Sequence, residues 1–188
     1  MEALLVVAGV ALVAVIWWIA TYNRFVRLRH ATKESWADID VELKRRYDLI
    51  PNLVETVKGY AKHEREVLER VVQLRNTAMN NHGSAASQAK DENALLGGMR
   101  SLFAVAESYP QLKSDANFRA LQEELAVTED RIAAARRFFN GNVRDLRNLR
   151  ESFPSSLVAS MARVEEPTFF EIEDQNERVV PRVDLGRA

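Results

Sequence analysis

The chain has 188 residues, 47% of them hydrophobic, and its 26 basic and 27 acidic side chains leave a formal net charge of -1. That length allows one domain plus an appendage, and the near-neutral balance gives no global electrostatic reason for a nucleic-acid partner. With no cysteine in the chain, disulfides, thiolate zinc sites and cysteine nucleophiles are excluded.

Residues 3–20 are apolar throughout and carry no charge. At ~1.5 Å per residue they span ~27 Å, and Thr21 and Tyr22 extend this to the ~30 Å of a bilayer core. A soluble core helix would keep one polar face, which this run lacks. A secretory signal would begin with basic residues and end with small ones. Here Met1 and Glu2 lead, and Trp17, Trp18 and Tyr22 trail. The reading is a retained anchor over residues 1–22, with those aromatics at the headgroup interface. Arg24, Arg27 and Arg29 follow, with His30 and Lys33 and without an acid in between. Positive flanks stay cytoplasmic, which predicts a single pass with the N-terminus outside and the body inside. The same cations could also contact anionic headgroups on either side. Ala8, Gly9, Ala11 and Ala14 offer a small-residue face for helix association, although no Gly-x-x-x-Gly is present.

Beyond the anchor, apolar residues recur every three or four positions from Trp36 through Ile39, Leu43, Tyr47, Ile50, Val54, Val57, Ala61, Val67, Val71 and Leu74 to Ala78. This is one stripe of an amphipathic helix, with Glu64 as its polar member. Pro51 cannot donate to the carbonyl of Tyr47, so it either kinks one long helix or begins a second; the unbroken phase across it favours the kink. Residues 80–93 lose the period and read as a loop with, at most, an early helical turn. A second helix is predicted over residues 94–108, with Leu95, Met99, Leu102, Phe103 and Ala106 inward, weakened by Gly97 and Gly98 and ended by Tyr109 and Pro110. Ser114 or Asn117 is then placed to cap a third helix. That helix has the most regular seam: Phe118, Leu121, Leu125, Thr128, Ile132, Ala135, Phe139, Asn142, Leu146, Leu149 and Phe153. Pro154 stops it, a short amphipathic helix is expected over residues 155–163, and residues 171–188 read as a flexible tail.

The fold class is therefore all-α: an N-terminal transmembrane helix, then an antiparallel bundle of three to four helices over residues 23–170. A parallel oligomeric coiled coil competes, but Pro110 and the polar stretch 80–93 argue against an uninterrupted rod.

Several segments carry a family resemblance. They are Tyr-Asn-Arg-Phe at 22–25, the run 45–64 that begins Arg-Arg-Tyr-Asp-Leu-Ile-Pro-Asn-Leu, Tyr-Pro-Gln-Leu-Lys at 109–113, residues 118–132, Arg-Arg-Phe-Phe-Asn at 136–140 and Ser-Phe-Pro at 152–154. The chain resembles the LemA family over about residues 1–170. The resemblance implies a membrane helix followed by a bundle of up to four helices, and no established enzymatic activity. It also makes other envelope proteins, including membrane proteases of stress response, partners by association. Phe139, where the family often has Tyr, and Gly141 inside the third helix depart from the pattern.

No catalytic, cofactor-binding or metal motif is recognisable. His63 and Glu64 lack the second His of a zinc helix because Val67 stands in its place, no Glu is followed three residues later by His, and Gly97 and Gly98 lack the Lys of a phosphate loop. Glu64, Thr128 and Asn142 are candidate buried polar residues that would fix helix register. Arg136, Arg137, Arg144, Arg147 and Arg150 read as a solvated helix face rather than a nucleic-acid surface. The leading function class is a membrane-anchored, non-enzymatic scaffold or adaptor that self-associates. A bundle that polymerises on and shapes the bilayer, and a small-ligand-binding bundle, are the alternatives. The expected partners are the lipid bilayer, further copies of the chain and other envelope or membrane proteins; no nucleic acid and no cofactor are expected.

Overall fold

In the computed structural model Glu2–Tyr60 form one continuous helix of 59 residues, α1, which at ~1.5 Å per residue is roughly 90 Å long. The structure describes residues 1–172, so residues 173–188, most of the expected tail, lie outside the described residues. The expected boundary at residue 22 is not a break in secondary structure, because α1 runs straight through it. α2 (Arg65–Met79), α3 (Ala85–Glu107), α4 (Pro110–Ser114), α5 (Ala116–Glu151) and α6 (Ser155–Met161) complete the bundle, and there is no strand among the described residues.

Pro51 lies inside α1 without ending it. Proline leaves the carbonyl four residues earlier without its helical donor. Here Nε of Arg75, on α2, donates to the Tyr47 carbonyl at 3.0 Å, so a side chain from a neighbouring helix replaces the missing N–H. The real break falls at residues 61–64. Ala61 leaves helical geometry, at φ -114° and ψ 58°, while its N–H still reaches the Val57 carbonyl at 2.8 Å. The stripe expected as one helix over residues 36–78 is thus a hairpin. Glu64 corrects accordingly: it flanks the start of α2, half-buried, and is not a seam residue.

The stretch 80–93 also corrects. Only residues 80–84 are a turn; Ser84 accepts the Ser87 N–H at 3.2 Å and caps α3, which begins at Ala85, well before Leu95. Asn81 holds the turn, accepting from the Gly83 N–H at 2.8 Å and donating to Asp91 at 2.6 Å. The polar composition belongs to the first turns of a helix whose inward side chains include Gln88 and Glu92. Gly98 has a packing reason: a Cβ there would meet Leu74 of α2 at 2.8 Å, so its absence lets α2 and α3 approach. α3 ends at Glu107, ahead of the extended Tyr109, as expected, and Pro110 begins α4 at a position where its missing N–H costs no helical bond. α5 is capped by Asp115, which accepts the Phe118 N–H at 2.9 Å, rather than by Ser114 or Asn117.

α5 runs antiparallel along α1: Asp115 lies by Tyr60, Glu129 by Arg46, Phe139 by Trp36 and Asn142 by Ser35. The α2–α3 hairpin packs on this pair, and α6 bridges α1 and α5. The main core is threaded by Ile39, Leu43, Ile50, Leu53 and Val57 of α1, meeting Leu95 and Leu102 of α3 and Leu125 and Ile132 of α5. A smaller second core, built on Phe25, Leu146, Val158, Ala159 and Val164, lies at the anchor end of the bundle. On α5 the expected seam is buried or half-buried from Phe118 to Leu149, and it fails at Phe153, which is 82% exposed.

Candidate functional site

The most buried charges in the bundle form one cluster. Arg46 follows the α1 seam at the 3–4 spacing of Ile39, Leu43, Ile50, Leu53 and Val57, so the helix that buries those residues buries a guanidinium among them, at 0% exposure. A buried charge is tolerated only when paired and hydrogen-bonded. The Nη1 group of Arg46 donates to both carboxylate oxygens of Glu129 on α5, at 2.9 and 3.0 Å, and Nη2 donates to Glu92 on α3, itself 0% exposed. Tyr47 donates its hydroxyl to the other oxygen of Glu92. Gln88 donates to that same carboxylate at 2.8 Å and to the Ala78 carbonyl at the end of α2 at 3.0 Å. One cluster thereby ties α1, α2, α3 and α5. The Nε of Arg46 is the buried side-chain nitrogen that finds no acceptor among the described residues.

The electrostatics follow from the burial. Desolvation disfavours the Arg46 charge, but the carboxylates of Glu92 and Glu129 outweigh it and hold the guanidinium above its ordinary value. Burial, and then the adjacent Glu92 carboxylate, push the Tyr47 phenol well above its usual range, so it stays a hydroxyl donor.

A second polar set fastens the chain after α6. Arg136, 9% exposed, donates to the Ile172 carbonyl, and Asn140 clasps Phe170 through its carbonyl at 3.0 Å and its N–H at 2.9 Å. Phe170 is fully buried, edge-on to Trp36 with ring centroids 5.3 Å apart, and Phe139 meets the same Trp36 at 5.2 Å. Arg147 and Arg150 reach Glu166 at 3.6 and 3.5 Å. The basic stretch of α5, expected as a solvated face, instead uses Arg136, Arg147 and Arg150 to hold residues 164–172 along the helix.

The residues singled out from sequence fall in different places. Thr128 is fully buried in the seam, but its hydroxyl bonds the Glu124 carbonyl of its own helix at 2.8 Å. Asn142 crosses between helices, donating to Ser35 at 3.1 Å and to the Ala31 carbonyl at 3.2 Å. Trp17, Tyr22, Arg24, Arg27 and Arg29 are exposed on α1, whereas Trp18 packs against the second core. Arg46, Gln88, Glu92 and Glu129 were missed. The signal for them was phase: positions 46, 88 and 92 extend the seams already read on their helices.

What the cluster can do is hold helices together. Apart from the Nε of Arg46 its charged groups satisfy one another, and among the described residues no three His, Cys, Asp or Glu side chains converge as metal ligands. A cleft of about 690 Å³ between the end of α1 and α2 is lined by Lys58, Lys62 and Arg65 with Glu55 and Glu69. Lys58–Glu55 and Arg65–Glu69 pair at 2.9 and 2.8 Å, so those four charges are spent on each other.

Fold and cluster together define a class: a helical bundle locked by internal ion pairs and built on a helix whose first third is long and apolar enough to cross a membrane. The chain belongs to the LemA family, whose model matches residues 35–185. The match begins beyond the apolar run and continues past residue 170, into the tail that the sequence resemblance left uncovered. Two relatives, the magnetosome proteins MamQ 1 and MamQ 2 of Paramagnetospirillum magneticum (strain ATCC 700264 / AMB-1), are each 27% identical over 168 residues and cover 74% of this chain. The chain spans 61% of the length of those relatives.

Proposed function

We propose that the chain is a non-enzymatic, membrane-anchored scaffold or adaptor that presents its bundle at a fixed distance and angle from its own membrane span. The observation that carries this reading is the continuity of α1. Residues 3–16 are exposed, with none of the described residues packed over them, while residues 39–57 of the same helix hold the core of the bundle. A helix joined without a loop transmits orientation, which a flexible tether would not. The ion cluster inside the bundle is engaged in holding four helices together, as a scaffold requires. The two relatives bear the name of a cellular structure rather than of a reaction, in keeping with this role. The small-residue face at Ala8, Gly9, Ala11 and Ala14 is the proposed contact between copies in the membrane. Arg24, Arg27, Arg29 and Lys33 set the proposed topology, bundle inside the cytoplasm of a bacterial inner membrane and N-terminus out.

Mass photometry of the full-length protein in nanodiscs tests the assembly: a defined homo-oligomer at micromolar concentration is expected, and a monomer removes the self-associating scaffold. For topology, Ser84→Cys in this cysteine-free chain should resist an impermeant thiol reagent in intact cells and react after lysis. Labelling of intact cells would reverse the orientation.

A further inference from the structure

The second core puts α6 at the height where α1 leaves its apolar run. Trp18 belongs to that run, yet it packs on the cluster containing Val158 and Ala159 of α6. At ~1.5 Å per residue Trp18 is about 22 Å along the axis from Ala3, short of the ~30 Å a bilayer core occupies. Whatever packs on Trp18 therefore sits at the headgroup boundary if α1 spans the membrane.

The outer face of α6 has the composition such a place demands. Val158 and Ala159 face the core, and on the other side Phe153, Leu157 and Met161 recur every fourth residue at 82%, 53% and 74% exposure. For Leu157 and Met161 on the seven-residue α6 and Phe153 in the turn that leads into it, contact with water is unfavourable and contact with lipid is not. Exposed Arg24 and Arg27 lie within a turn of Phe25, and exposed Arg163 follows α6 directly, at the level of lipid phosphates. Of the nearby acids, Glu151 is engaged by Arg147 and Glu166 by Arg147 and Arg150, while exposed Glu165 tempers the positive balance.

We infer that α6 is a second, interfacial membrane contact: Phe153, Leu157 and Met161 enter the lipid surface beside the point where α1 emerges. This rests on reading α1 as the membrane span. Two contacts on one rigid body fix its tilt, which a lone span does not. The occupant is lipid rather than a second copy because the helix carrying the patch packs, through Val158 and Ala159, with Trp18, which lies between the exposed Ile16 and Ile19 on the apolar run of α1.

The test uses the full-length protein in phosphatidylcholine–phosphatidylglycerol vesicles, with nitroxides placed one at a time through Leu157→Cys, Met161→Cys, Val10→Cys and Val127→Cys. Power saturation compares collisions with oxygen, which partitions into lipid, and with a water-soluble nickel chelate. Circular dichroism of each labelled protein must match the unlabelled chain. Labels at positions 157 and 161 are expected to show an oxygen-to-chelate ratio about threefold or more above that at 127, approaching that at position 10, as for an interfacial helix. Aqueous ratios at 157 and 161 with position 10 in lipid would overturn this inference and leave the span intact. An aqueous position 10 would remove the span reading and the inference with it. Protection at 157 and 161 that vanishes when the protein is diluted to about one copy per vesicle would assign the face to a second copy instead.

Discussion

Residues 3–20 and 39–57 of α1 share a backbone and a helical geometry, and they differ in what covers them. The first stretch is apolar on every side and, among the described residues, is exposed until Trp18 packs on the second core. The second alternates a buried seam with charged residues such as Lys44, Arg45 and Glu55, and side chains of α2, α3 and α5 reach into the seam. The seam also contains Arg46, whose charge would be prohibitive in a lipid-facing run and is stabilised here by two carboxylates. An apolar surface uniform around the axis calls for a solvent without direction, which is lipid. A surface patterned around the axis calls for specific partners, and one buried charge then selects which helices those are.

The comparison breaks most readily at Arg46. Arg46→Ala leaves Glu92 buried without its cation and is expected to destabilise the bundle by about 3–5 kcal/mol in chemical denaturation. Arg46→Met combined with Glu92→Leu removes the charge from both buried positions and should recover much of that loss; equal losses for the two variants would mean the pairing is not what stabilises the site. Next come cavity-forming changes: Val57→Ala and Leu125→Ala should each cost roughly 1–4 kcal/mol, whereas Val10→Ala should leave the denaturation midpoint where it was. A Val10→Ala loss of the same size would place residues 3–20 inside the protein core. Arg75→Ala strips the Tyr47 carbonyl of the donor that replaces the N–H lacking at Pro51, and about 1–3 kcal/mol is expected.

Smallest is an effect of alkaline pH. A phenol whose folded pKa is raised contributes stability that is fully present below its unfolded value, ~10, and is lost as pH rises above it. Thermal melts should therefore fall above about pH 10 in the parent and fall less in Tyr47→Phe. Glu123→Ala, on the exposed side of α5, serves as the baseline, within about 0.5 kcal/mol of the parent.

Periodicity made the helical class and most of the core legible: the seam residues Ile39, Leu43, Val57, Leu95, Leu102, Leu125 and Ile132 were all placed inward by spacing alone. The breaks were less so. Pro51 reads as a kink because its missing N–H is a local fact, while the donor that replaces it, Arg75, lies 28 residues beyond the Tyr47 carbonyl it reaches. The stretch 80–93 looked like a loop because Asn, Ser, Gln and Lys are common in loops, and polarity hid the phase that links Gln88 and Glu92 to Leu95 and Met99. The ion cluster stayed hidden for the same reason. Arg46 beside Arg45 reads as a solvated charge until Glu92 and Glu129, 46 and 83 residues on, are brought to it by the fold.

The most direct measurement removes residues 1–21 and asks whether the rest stands alone. If lipid covers the first part of α1 and the bundle covers the second, the truncated protein is soluble, strongly helical by circular dichroism, monomeric or nearly so by light scattering, and melts cooperatively. An insoluble product, or one with little helicity, would contradict the account, because the bundle would then need the apolar run to complete its own core.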